Sequence, residues 1–110
     1  MDAGTQRRLL GLLGLGMRGR GVVVGVAQVR AAAQRGRLVY ALVAPDASRH
    51  SLEKVVPLLN ARRIRFAEGP SARELGGAVG REATAAVGIV DANLARGIRE
   101  IVESGREPAH

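Results

Sequence analysis

Apolar residues recur along the chain with two alternating spacings, one helical and one extended. Leu9, Leu12, Leu13 and Gly16 fall at three- and four-residue intervals, which predicts a first helix capped by Thr5. Residues 17–24 read as an Arg-Gly turn entering a short valine run. Gly25 opens a second helical stretch through Arg35, with Val26, Val29 and Ala33 on one side and Gly36 as its C-cap. The unbroken apolar run LVYALV at 38–43 predicts a buried strand. Pro45-Asp46-Ala47-Ser48 is a turn, and Ser51 caps a helix carrying Leu52, Val55, Val56 and Leu59, with Pro57 set to bend it. Ile64-Arg65-Phe66 predicts a short strand and Glu68-Gly69-Pro70 a turn. Ser71 and Glu74 have the spacing of a capping box that starts a helix ending near Gly80. Residues 84–90 supply a further strand, and Asp91 caps a last amphipathic helix through Leu94, Ile98, Ile101 and Val102. Repeated strand-to-helix crossovers of this kind predict a central sheet with helices on both sides.

At 110 residues the chain suffices for one core, so a single domain is expected over 1–110, with flexible ends near 1–5 and 104–110. The apolar run LLGLLGLG at 9–16 is far shorter than the ~20 residues that cross a bilayer. Arg18 and Arg20 follow it without a small-residue cleavage pattern, so a buried first helix and a cytoplasmic location, away from any membrane, are expected. There is no cysteine, which excludes disulfides, thiolate metal sites and cysteine nucleophiles.

Charge changes this picture from fold to function. The formal net charge is +7, but it is unevenly spread: +6 over residues 1–40, +2 over 41–70 and −1 over 71–110. Of the 17 basic residues only Lys54 is lysine, and arginine's planar fork suits bidentate contact with phosphate. A basic end of this kind points to a polyanion such as RNA or DNA, while a G+C-rich genome is an alternative source of the arginine bias.

Catalysis has little to stand on. His50 and His110 are the only histidines, in a polar turn and at the terminus, and Asp2, Asp46 and Asp91 occupy a terminus, a turn and a helix cap. Asp46, Ser48 and His50 are crowded into one turn, whereas a working triad draws its members from separate elements. No metal-ligand spacing, Walker loop or dinucleotide fingerprint is present, so neither a metal, a cofactor nor an enzymatic activity is expected.

Leu12-Leu13-Gly14-Leu15 with Arg18, Gly25 at the head of the second helix, Leu38 to Asp46, Ser71 to Gly80 with its Glu-Leu-Gly core, and the strand ending in Ile89-Val90 occur in an informative order and spacing. In these features, over about residues 7–98, the chain resembles the kink-turn RNA-binding ribosomal-protein family and in particular its small bacterial ribosome-associated members. The resemblance implies a three-layer α/β/α sandwich with a central mixed sheet of about four strands. It also implies structured RNA, ribosomal or kink-turn-containing, as the partner. The family's loop before the second helix and that helix's first turns usually read Gly, a small residue, Asn or a polar substitute, Glu or Gln, and later Lys. The matching positions are Gly25, Val26, Ala27, Gln28 and Ala31, so the Asn and Lys positions are apolar here.

On this basis the expected RNA contacts are the first N–H groups of the second helix on phosphate, Gly25 permitting close approach, Gln28 at a base edge, and Arg18, Arg20, Arg30, Arg35 and Arg37 clamping the strands around Ala27 and Ala31. Gly69, Pro70, Ser71 and Arg73, before the fourth helix, match the family's second RNA-facing loop. Gly25 as a simple helix-start turn, Gln28 as a solvated side chain, and Arg35 and Arg37 as complements to a helix C-terminus are the structural alternatives. Tyr40 and Phe66 are expected in the core. The rival function, motivated by Ala27 and Ala31, is a protein-interaction or adaptor subunit of a ribonucleoprotein, or a self-associating adaptor; a monomer is expected ahead of a dimer.

Overall fold

The computed structural model describes residues 1–106. Its elements in chain order are α1 (Ala3–Arg18), β1 (Val22–Val24), α2 (Val26–Gln34), β2 (Tyr40–Val43), α3 (Arg49–Ala61), β3 (Phe66–Glu68), α4 (Ala72–Ala78), β4 (Ala86–Ile89) and α5 (Ala92–Arg106). The strands form one mixed sheet in the order β1-β4-β2-β3. Every residue of the central strands β2 and β4 is buried, as a run without polar alternation requires when both faces are covered. Leu9, Leu13, Leu75, Ile98 and Val102, from α1, α4 and α5, pack on one face of the sheet. Val29, Ala33, Val55 and Leu59, from α2 and α3, pack on the other. The α/β/α sandwich with a four-stranded mixed sheet expected from the sequence is the observed architecture.

Several boundaries differ from expectation, for identifiable reasons. Asp2, not Thr5, caps α1: its Oδ1 accepts the Thr5 N–H at 2.7 Å, so helix begins within the stretch expected to be a flexible start. Ser48, not Ser51, caps α3, and its hydroxyl oxygen accepts the Ser51 N–H at 3.1 Å. His50 therefore lies in the first turn of a helix rather than in a loop. α2 ends with Arg35 at the C-cap, and Gly36 follows it at φ 70°. β2 starts at Tyr40 and leaves Val39 46% exposed, and β3 starts at Phe66 because Ile64 closes the end of α3. The Ser71–Glu74 capping box and the Asp91 cap of α5 are as expected. Of the expected flexible end, residues 104–106 complete α5; residues 107–110, and with them His110, lie outside the described residues.

One close approach is between main chains. A Cβ on Gly76 of α4 would lie 2.5 Å from Ala83 Cα and 2.7 Å from its nitrogen, both main-chain atoms that no rotamer change can move. Gly76→Ala is expected to lower stability by roughly 1–3 kcal/mol through overpacking, read as a lower denaturation midpoint at unchanged slope. Acid acts on α1: the backbone N–H of Thr5, followed by its hydroxyl, lowers the Asp2 carboxyl below its ordinary pKa. A depressed carboxylate contributes stability that is present above its unfolded value of about 3.9 and is lost as pH falls through the folded value. Asp2→Asn, which can cap without titrating, is expected to remove that increment of acid sensitivity in a pH series of thermal melts.

Candidate nucleic-acid interface

Strand direction decides which loops meet. β1 and β2 both run antiparallel to β4, and β3 runs parallel to β2, so β1, β2 and β3 point the same way. At their carboxyl ends lie Gly25, residues 44–48, residues 69–71 and residues 79–85. This near end is tied by Gly25 N–H to Ala86 O at 2.9 Å, Ala44 N–H to Ala85 O at 2.8 Å and Gly69 N–H to Val43 O at 2.8 Å. The far end holds residues 19–21, 35–39, 62–65 and 90–91, joined by Val90 N–H to Gly21 O and Val39 N–H to Ile89 O, both 2.9 Å. α2, with nine residues, carries the chain about 14 Å from one end toward the other.

Gly25 stands at φ 93°, ψ 160°, a backbone region that side-chain-bearing residues rarely enter. Nothing lies within 4 Å of where its Cβ would be, so the glycine answers a backbone demand and leaves open space above the helix start. No side chain caps α2, and its first turn has no acid, so the positive end of the helix faces outward uncompensated. Gln28 has an internal role as well. Its Oε1 accepts the Val24 N–H at 3.1 Å, which fixes the carboxamide and leaves Nε2 as its outward donor. Ala27 is exposed and Ala31 half-buried.

A shallow groove of about 310 Å³ runs along the outer side of α2 and gathers Gln28, Ala31, Arg35, Arg37 and Arg20. Three of the expected arginines thus share a surface with Gln28, but they lie toward the far end rather than around Gly25. Arg18 is exposed on the last turn of α1 and does not line that groove. Arg30 points to the opposite side of α2, where its Nη1 donates to the Lys54 carbonyl beside a wider trough, about 720 Å³, between α2 and α3. The second expected loop is mostly interior: Gly69 and Pro70, joined by a cis peptide bond, are both buried. Met1 Cε lies 3.9 Å from where a Gly69 Cβ would be, and Asp46 Oδ1 accepts the Ala72 N–H at 2.8 Å, so the loop is covered and tied down. Ser71 exchanges hydrogen bonds with Glu74, leaving Arg73 as the exposed cation there.

The charges separate between the two ends. The four far-end connections hold six arginines and one acid, whereas the near-end connections hold Arg81 against Asp46 and Glu82. Sequence reasoning missed the far-end set Arg62, Arg63 and Arg65, because the three fall outside the basic first forty residues. Their signal was the positive run at the end of α3. Among the described residues no group of His, Asp and Glu could hold a metal ion, and no helix is long and apolar enough to cross a membrane. Tyr40 is buried as expected, and Phe66 is half-buried at the sheet edge.

Gln28→Ala is expected to strand the Val24 N–H and cost roughly 0.5–1.5 kcal/mol, with faster amide exchange at Val24. Gln28→Glu, which keeps an acceptor in place, is expected to preserve both.

Comparison with known proteins gives the same frame. No curated protein matches the chain. A protein of unknown function from Bacillus halodurans C superposes with a TM-score of 0.81 at 27% identity, covering 87% of this chain and 97% of that one. The Giardia lamblia 15.5kD RNA binding protein superposes with a TM-score of 0.75 at 20% identity, covering 94% of this chain and 89% of its own, a likeness of fold. The model of the Ribosomal protein L7Ae/L30e/S12e/Gadd45 family matches residues 7–102, nearly the whole described chain. With the sandwich, the strand order and the open start of α2 in place, the chain belongs to the Ribosomal protein L7Ae/L30e/S12e/Gadd45 family of RNA-binding, ribosomal-protein-like proteins.

Proposed function

We propose that this protein binds a kinked, structured RNA, ribosomal or kink-turn-like, along the outer face of α2. The observation that carries the reading is the continuity of that face. An uncapped, positively polarised helix start at Gly25 leads through the Gln28 carboxamide to a groove edged by Arg20, Arg35 and Arg37. Free N–H groups at the helix start donate to a phosphate, the Nε2 donor of Gln28 reaches a base acceptor, and the arginines hold the backbone of the flanking stem. Arg20 supports the reading further, since it adopts φ 59° where an L side chain costs about 1–2 kcal/mol. Arg73, and Arg18 on the last turn of α1, add positive charge at the margins. The protein acts as a monomer in the cytoplasm, with other ribonucleoprotein subunits as its companions.

Ala27 and Ala31 distinguish this interface from the family pattern, by withholding one base-edge hydrogen bond and one phosphate contact. A titration against RNA with a kinked internal loop, set beside an unkinked duplex, is expected to show tighter binding to the kinked form and a steep loss with salt. No binding to either at low salt overturns the reading. Ala27→Asn with Ala31→Lys is expected to gain roughly 1–3 kcal/mol toward the kinked RNA, and unchanged affinity would mean that the loop presents another geometry. Gln28→Glu is expected to weaken binding by at least about 1 kcal/mol while leaving stability alone, because it replaces the outward donor with an acceptor.

The trough between α2 and α3, walled by Val26, Ala27 and Ala31, favours a second reading as an adaptor that docks a protein. On that reading Ala27→Arg abolishes partner binding, and replacing Arg20 and Arg37 by Glu leaves it intact.

A further inference from the structure

The far end carries a second basic surface, on the opposite edge of the sheet from the α2 groove. β1 and β3 are the two edge strands, separated by β4 and β2, so the two edges stand about 14 Å apart. At the β3 edge a groove of about 440 Å³ is bounded by Arg63, Arg65 and Arg99, with Phe66 and Val102 between them and Glu103 as the one acid on its wall. Arg63 and Arg65 are exposed and Arg99 half-buried, and none of the three forms an ion pair among the described residues. Arg62, exposed at the C-cap of α3, extends the same positive surface.

The C-terminal end of a helix attracts cations by itself. One arginine would satisfy the C-terminus of α3, yet Arg62, Arg63 and Arg65 follow it within four residues, and Arg99 comes from the middle of α5. Arg63 also sits where arginine is least expected. It adopts φ 56° in the left-handed residue that closes α3, with Ile64 N–H donating to Leu59 O at 2.9 Å. At the matching ends of α2 and α4 the chain uses Gly36 (φ 70°) and Gly80 (φ 77°), as backbone sterics favour. A guanidinium at a position that glycine fills elsewhere, beside two others and against the single carboxylate of Glu103, leaves a net positive groove.

We propose that the β3-edge groove binds the sugar-phosphate backbone of a second RNA segment, with Arg63, Arg65 and Arg99 each taking a phosphate. The proposal rests on the RNA-binding reading above and extends it to a stem that lies beyond the kink. Arginine forks match phosphate oxygens bidentately, and contacts confined to phosphate carry no sequence preference, so this surface adds reach and affinity rather than recognition.

The test uses the full chain with Arg63→Gly, Arg65→Gln and Arg99→Gln combined. Glycine is favoured at position 63 and the other two side chains are at the surface, so the thermal midpoint is expected to hold. Binding is measured over a salt series against a kinked RNA trimmed to its shortest stems and the same RNA with both stems lengthened. The expected result is an unchanged affinity for the short RNA, a loss of at least tenfold for the long one, and a salt slope for the long RNA lower by about 2–3, near 0.9 for each phosphate contact removed. An unaltered slope on the long RNA overturns the proposal. So does a triple variant that keeps its long-RNA affinity but loses binding to polyglutamate, which would assign the groove to an acidic protein. The two readings fail separately: if Gln28→Glu and Arg35→Gln leave RNA binding untouched, the α2 interface is wrong, whatever the β3 edge does.

Discussion

The common direction of β1, β2 and β3, with β4 running against them, is the constraint on which the rest of this molecule depends. It gathers the starts of α2, α3 and α4 at one end of the sheet and the ends of α1, α2 and α3 at the other. Helix polarity follows strand polarity, so one end presents N–H groups and partial positive charge, and the other presents carbonyls and partial negative charge. The arginines accumulate at the carbonyl end, where they are electrostatically welcome, and the near end is left almost neutral in formal charge. An anion therefore meets two different kinds of positive surface: directional backbone donors at Gly25 and mobile guanidinium forks at the far end.

The central pair β2 and β4 makes that geometry rigid. Leu42, Val43, Val87 and Ile89 are essentially inaccessible, and each buried side chain of this size contributes roughly 1.5–3 kcal/mol relative to exposure. Because they are covered on both faces, neither strand can slide in register without moving apolar groups against the wrong layer. Gly25 and Arg37 are thus held at fixed ends of a stiff sheet, through bonds of Gly25 to Ala86 and of Val39 to Ile89.

Much of this was legible in the sequence, and the failures share a physical origin. The amphipathic repeat of α5, the Ser71–Glu74 box and the Asp91 cap could be read because periodicity and capping are local. Thr5 and Ser51 were misread as caps for one reason: the true caps, Asp2 and Ser48, bond the N–H three residues on, and a polar residue at that position resembles a cap itself. The candidate site could be written from the sequence as a set of residues but not as a place. Sequence order sets Arg18 and Arg20 just before Gly25, yet the chain must cross β1 between them, which carries it to the other end of the sheet. Gly69 and Pro70 match the family's RNA-facing loop in sequence, whereas in the fold Met1 and the bond from Gly69 to Val43 hold them in the interior. Arg62, Arg63 and Arg65 form a basic run in the sequence, but only the folded chain brings Arg99 of α5 to their side.

The hydrogen bond from Val24 to Gln28 also bears on how the protein behaves in a crowd of its own copies. An edge strand offers unpaired amides as a template for adding another chain, the step that leads to runaway fibrillar assembly. β1 is only three residues long and spends one of its amides on the Gln28 side chain, while β3, equally short, is overlooked by Arg63 and Arg65. A chain with 46% apolar residues and a sheet with two uncovered edges is thereby denied a sticky margin, so the groups proposed to meet RNA double as guards against aggregation.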